Sequence, residues 1–169
     1  MSGNRIEPWL RGTLTEVEST SRGVLHALEL AAEDIARWCD PLNGEEMEVR
    51  PHGLPSVGFQ VRHIARSLDR LLTYAEGHQL TERQLKALKD EESYIDREAT
   101  LMEFAEAIEV SVRRVRALAD SDYQESRYVG RKKLPTTLGG LLVHVADHTQ
   151  RHVGQAITTA KVVIASRAK

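Results

Sequence analysis

Apolar side chains recur along this chain at alternating spacings of three and four, the period that lines them up on one face of an α-helix. Near the N-terminus Leu10, Leu14, Val17, Val24, Leu28, Ala31, Ile35 and Trp38 follow it, with Ser21 in the same register. The spacing predicts one long helix from Leu10, with Pro8 in its first turn, to about Cys39, where Asp40-Pro41 disfavours helix ahead of the proline. A connector rich in Gly, Pro and charge runs from Leu42 to Pro55. Val57, Val61, Ile64, Leu68, Leu71, Leu72 and Ala75 then predict a second helix from about Ser56 to Glu76, closed by Gly77. Thr81 with Gln84 is a capping-box pattern that opens a short helix carrying Leu85 and Leu88. Thr100 with Glu103 repeats it before Leu101, Phe104, Ile108, Val112, Val115 and Leu118, a third long helix ending near Ala119. Leu134-Pro135-Thr136-Thr137 places start signals before Leu138, Leu141, Leu142, Val145, Val153, Ala156, Ile157, Ala160 and Ile164, a fourth helix that reaches almost to the C-terminus.

Four amphipathic stripes need mutual burial, so the expected fold is all-α: a four-helix bundle with a short connecting helix between helices two and three. No stretch alternates with the strand period, and the basic run Arg127 to Lys133 reads as a solvated turn. At 169 residues the chain is expected to form one domain over 1–169. Its 41% hydrophobic and 28% charged content excludes a disordered chain, a collagen-like fibre or a membrane protein. With 23 basic against 25 acidic side chains, no global field attracts nucleic acid or an anionic membrane. The longest nearly apolar stretch, Leu138 to Val145, is interrupted by His144 and falls short of the ~20 residues that span a bilayer. A lone Cys39 forms no intramolecular disulfide, and MSGNRIEPWLRG lacks the apolar core of a signal peptide, so a cytoplasmic location is expected.

Three of the seven histidines, His144, His148 and His152, fall four apart in HVADHTQRHVGQ. Neighbours at that spacing stack on one helix face within reach of one ion, but the outer two lie ~12 Å apart along the axis, too far to share it. One adjacent pair must be chosen. At ~100° per residue His152 lies about 60° from the centre of the apolar stripe, His148 about 100° and His144 about 140°, so the inward pair is His148 and His152. A third ligand must come from another helix. His63, in VRHIARSLDRLL, lies well inside the second helix, about 130° from the centre of its stripe. Periodicity permits it there without demanding it. His26 on the first helix, and His52 and His78 in loops, read as ordinary polar residues, and Glu33 with Asp34 as a solvated face.

With His63-Ile64 on the second helix and HTQRHVGQ late on the fourth, the chain resembles the DinB-like (DinB/YfiT) superfamily of small metal-binding bundles over essentially its whole length. Its members share a histidine in helix two and a late HxxxH often followed, after one residue, by Gly-Gln. Here those positions are His63, His148, His152, Gly154 and Gln155. Many members carry His-His where this chain has Arg151-His152, a difference that leaves the ligand itself in place. The resemblance implies a divalent metal ion, Zn or Ni, held by His63, His148 and His152, and a homodimer, to which Trp9 and Trp38 lend core or interface surface.

Three histidines leave coordination positions for solvent or substrate, whereas closed structural sites fill four with protein ligands. Such an ion lowers the pKa of bound water or holds a thiol as its thiolate. Relatives in the resembled family include transferases that join low-molecular-weight thiols to electrophiles and a thiol-dependent maleylpyruvate isomerase. The leading expectation is therefore a thiol S-transferase acting on a small-molecule thiol and an electrophile, with Gln155 orienting a ligand or solvent and Cys39 taking no part. A metal-dependent hydrolase is the nearer alternative, and a non-catalytic, metal-stapled dimeric stress-response protein the other.

Overall fold

The computed structural model describes residues 6–167. Six helices and one hairpin follow in order: α1 (Ser19–Cys39), the short α2 (Gly44–Glu48), α3 (Val57–Ala75), the short α4 (Glu82–Lys89), α5 (Arg97–Ala117), the antiparallel strands β1 (Ser126–Val129) and β2 (Leu134–Thr137), and α6 (Leu138–Ser166). The fold is the expected helical bundle, with α4 as the short helix between the second and third long ones. Both α1 and α3 pack against α5 and α6. The diagonal pairs are therefore α1 with α3 and α5 with α6, while α3 and α5 are neighbours; the long 40–56 connection lets the chain cross from α1 to α3. Leu28, Ile35, Val61, Ile64, Leu68, Leu72, Leu138, Leu142 and Val145, each at most 1% exposed, form the centre of the core. No described helix is long and apolar enough to cross a membrane.

Several local signals act as their chemistry dictates. Ser56 caps α3, Thr81 and Gln84 close a capping box on α4, and Thr137 caps α6 by accepting from the Gly140 amide. At the end of α3 the His78 and Gly77 amides donate to the Thr73 and Tyr74 carbonyls, with Gly77 at φ 83°. That left-handed cap is the one a glycine adopts without strain.

Five expectations need correction. The first helix begins at Ser19, not Leu10. Gly12 and Leu14 take positive φ, Pro8–Leu10 is one 3₁₀ turn, and the Glu18 carboxylate accepts from the Thr20 and Ser21 amides to set the true cap. Apolar spacing persisted because Leu14 and Val17 still rest on the core while the backbone is not helical. The third long helix is capped by Asp96, one turn before Thr100, which is itself wholly buried. Within the connector, Asn43 and Glu46 form a reciprocal capping box that builds α2. The basic run is in part strand: Arg127 is buried, and its Nε donates at 2.6 Å to the Ala75 carbonyl, satisfying an orphan acceptor at the end of α3. Trp9 is 61% exposed rather than core, whereas half-buried Trp38 lies under the Lys161 ammonium.

One polar contact runs through the interior beside the site helix. Arg62, 1% exposed, donates to both Glu48 oxygens at 2.7 and 3.1 Å and pins α2 onto α3. Gly58 makes room for it, since a Cβ there would overlap Glu48 Oε1.

Candidate metal centre

The stripe of α6 thins between Val145 and Val153, and its missing member is Thr149, 1% exposed. His148 and His152 lie beside that position and lean toward α3, where His63 meets them. Ring centroids are 4.5 Å apart for His148 and His152, 4.3 Å for His63 and His152, and 5.2 Å for His63 and His148. One nitrogen from each ring lies within 4.8 Å of the other two. Donors ~2.1 Å from one tetrahedral ion stand about 3.4 Å apart, so small side-chain rotations bring this set onto a single divalent cation. His144 is 45% exposed, stands edge-on to His148, and lies outside the cluster.

Ring orientation is set from behind. His63 Nδ1–H donates to Glu91 Oε2 at 2.8 Å, and His152 Nδ1–H donates to Gln60 Oε1 at 2.7 Å. A carboxylate only accepts, so it fixes the His63 proton on Nδ1 and leaves the Nε2 lone pair for an ion. Ser67 Oγ lies 3.3 Å from that Nε2, a long contact that an ion would replace. Phe59 stacks on His63 with 5.7 Å between centroids. Burial, then the neighbouring charges of His63 and Arg151, push His152 down to about 4; burial, then His152 and His63, push His148 down to about 4. Both rings are therefore neutral at pH 7, the state a metal ligand requires. Burial works against the charge of Glu91, but hydrogen bonds from His63 and Arg70 outweigh it and hold the carboxyl below its ordinary value.

Gln155 lies beside the rings: its Oε1 accepts from Gln60 Nε2 at 2.9 Å, and Gln60 in turn holds His152. Gln60 and Glu91 went unrecognised in the sequence. Gln60 had a signal, a polar residue one helical turn before His63. Glu91, in the aperiodic stretch after α4, had none. The other histidines are elsewhere: buried His26 meets Thr13 Oγ1 at 3.2 Å, and His52 and His78 are exposed in loops. Glu33 is paired with Arg11. Cys39 is buried, and burial pushes its thiol up to about 12, far from a nucleophilic state.

Fold and donor set together define an all-α bundle with a three-histidine cluster able to hold a divalent ion. The chain belongs to the DinB superfamily, whose model matches residues 27–156 and so includes all three histidines and Gln155. Among solved structures it is similar to YfiT from Bacillus subtilis, described as a probable metal-dependent hydrolase with an unusual four-helix bundle topology. The TM-score is 0.62 at 16% identity, covering 95% of this chain and 91% of that one, so the likeness is one of fold. No curated protein is similar enough in sequence to count as a match.

Proposed function

We propose that this protein is a metal-dependent transferase in which His63, His148 and His152 hold a divalent ion, Zn or Ni, and a small-molecule thiol is joined to an electrophile. The observation that carries the reading is the donor set: among the described residues the cluster has three members, each half-buried rather than sealed, which leaves room for a further ligand. A bound divalent ion supplies the Lewis acidity that keeps a thiol as its nucleophilic thiolate at neutral pH. Glu91 and Gln60 hold the His63 and His152 rings in place during the reaction. The thiol proton passes to solvent, a sulfur–carbon bond forms, and the electrophile's leaving group departs with its bonding electrons. Cys39, buried and protonated, is not the thiol, so the nucleophile comes from a cosubstrate.

A metal-dependent hydrolase is the second reading, favoured by the fold shared with YfiT. Hydrolysis calls for a carboxylate or histidine free to move protons at the open position. Buried Glu91 does not fit that role, because both of its oxygens are engaged by His63 and Arg70. Metal-loaded protein assayed with several bacterial thiols and a chlorinated aromatic electrophile should release chloride only when thiol is present. Turnover of esters or amides without thiol would select the hydrolase instead. Chelation that lowers the melting temperature of a protein with no turnover would select the non-catalytic staple. The proposal includes a homodimer, supported by exposed Ile6, Trp9 and Leu10 at the N-terminal turn. Sedimentation at micromolar concentration should give twice the chain mass.

A further inference from the structure

We infer that α4 and the residues behind it form a polar latch that delivers Glu91 to His63, so that closing of the latch and metal occupancy strengthen each other. The inference rests on reading His63, His148 and His152 as metal ligands. Three α3 side chains at spacings of three and four, His63, Arg66 and Arg70, grip this one segment. His63 Nδ1 and Arg70 Nη1 donate to the two Glu91 oxygens at 2.8 and 2.5 Å, and Arg66 Nη1 donates to the Asp90 and Ala87 carbonyls at 3.1 and 3.3 Å. Further along, Gln84 Nε2 donates to Asp69 Oδ2 at 2.9 Å and Thr73 Oγ1 at 2.7 Å.

Apolar anchoring of α4 is slight by comparison. Its buried residue is the polar Gln84, and Leu88 is 44% exposed. Between α4, α3 and α5 lies a cavity of about 800 Å³, walled by Ala65, Ala87, Ala107 and Val110 and crossed by Arg66. The helix therefore spans a void on hydrogen bonds that water can replace. Segments with few buried apolar contacts open at free energies well below that of global unfolding. When this one opens, Glu91 leaves and the His63 ring loses the acceptor that fixes its tautomer and angle. An ion on Nε2 draws electron density from the ring and makes Nδ1–H a stronger donor, which favours the closed latch. Linkage requires the converse: a closed latch raises metal affinity by the same factor.

The test combines zinc affinity, measured by chelator competition, with amide exchange of residues 82–92 in metal-free and zinc-loaded protein. Zinc should slow exchange across α4. Glu91→Ala should weaken zinc about 10–100-fold, the usual effect of removing an outer partner of a ligating histidine, and abolish that slowing. Glu91→Gln, which keeps an acceptor oxygen, should lose less. The decisive variant is Gln84→Ala. Its contacts lie ~9 and ~15 Å along α3 from His63 at 1.5 Å per residue, yet loosening α4 there should weaken zinc about fivefold. If Gln84→Ala binds zinc like the parent and α4 exchanges equally with and without metal, the latch is refuted even where Glu91→Ala is impaired, because Glu91 then acts alone. If His63→Ala binds zinc as tightly as the parent, the ligand reading falls first and the latch with it.

Discussion

The groove between α3 and α6 and the segment formed by α4 with the residues behind it both converge on His63, but they are held by different forces. The groove is an apolar seam in which Val61, Ile64 and Leu68 from one helix and Leu142, Val145, Val153 and Ala156 from the other are almost fully buried. It places the three rings on a rigid frame. The α4 segment is held by arginine, glutamine and glutamate across a cavity. It supplies the outer acceptor that holds the His63 proton on Nδ1 and leaves Nε2 as the free donor. Burial provides position, and the exchangeable hydrogen bonds provide orientation.

Substitutions in the two regions should differ most in stability. Leu142→Ala, at a fully buried site in the seam, should cost about 2–5 kcal/mol in urea denaturation. Breaking the buried ion pair beside it is of similar size: Glu48→Gln leaves the Arg62 guanidinium, 1% exposed, without its countercharge, and should cost about 3–5 kcal/mol. A loss below 1 kcal/mol in either would mean that the seam is not what holds the frame.

Acid should act on the groove before it acts on surface carboxylates. His148 and His152 titrate near 4 when folded, against ~6.5 in an unfolded chain, so between those values the unfolded state binds more protons. Their contribution to stability is complete above about pH 6.5 and is lost as the pH falls toward 4. Glu18 and Glu46, held down to about 2 by their hydrogen bonds, lose theirs only below about 4.5. Metal-free protein should therefore show a lower urea midpoint at pH 5 than at pH 7, and replacing both histidines should flatten that difference. At the small end, Leu88→Ala on the exposed side of α4 should change stability by less than about 0.5 kcal/mol.

The same division governs what could be read from the sequence. Stripes such as Val57 to Ala75, and the His148 and His152 pair, are written in local spacing, because one helix carries all the information. The helix start at Leu10 was misplaced because apolar spacing reports burial, not backbone, and the chain rests Leu14 and Val17 on the core before it turns helical. The hairpin was missed because strands of four residues, one containing Pro135, are too short to show alternation. Glu91 approaches His63 across 28 positions, through tertiary contacts that leave no local trace.

The central claim is that His63, His148 and His152 share one divalent ion and that His144 does not. Elemental analysis of protein refolded with zinc and freed of excess tests it directly, using His63→Ala, His148→Ala, His152→Ala and His144→Ala with circular dichroism to confirm folding. The first three should retain a small fraction of one equivalent, and His144→Ala should retain the parent's full equivalent. Equal loading in all four, or loss of the ion in His144→Ala alone, would contradict the claim.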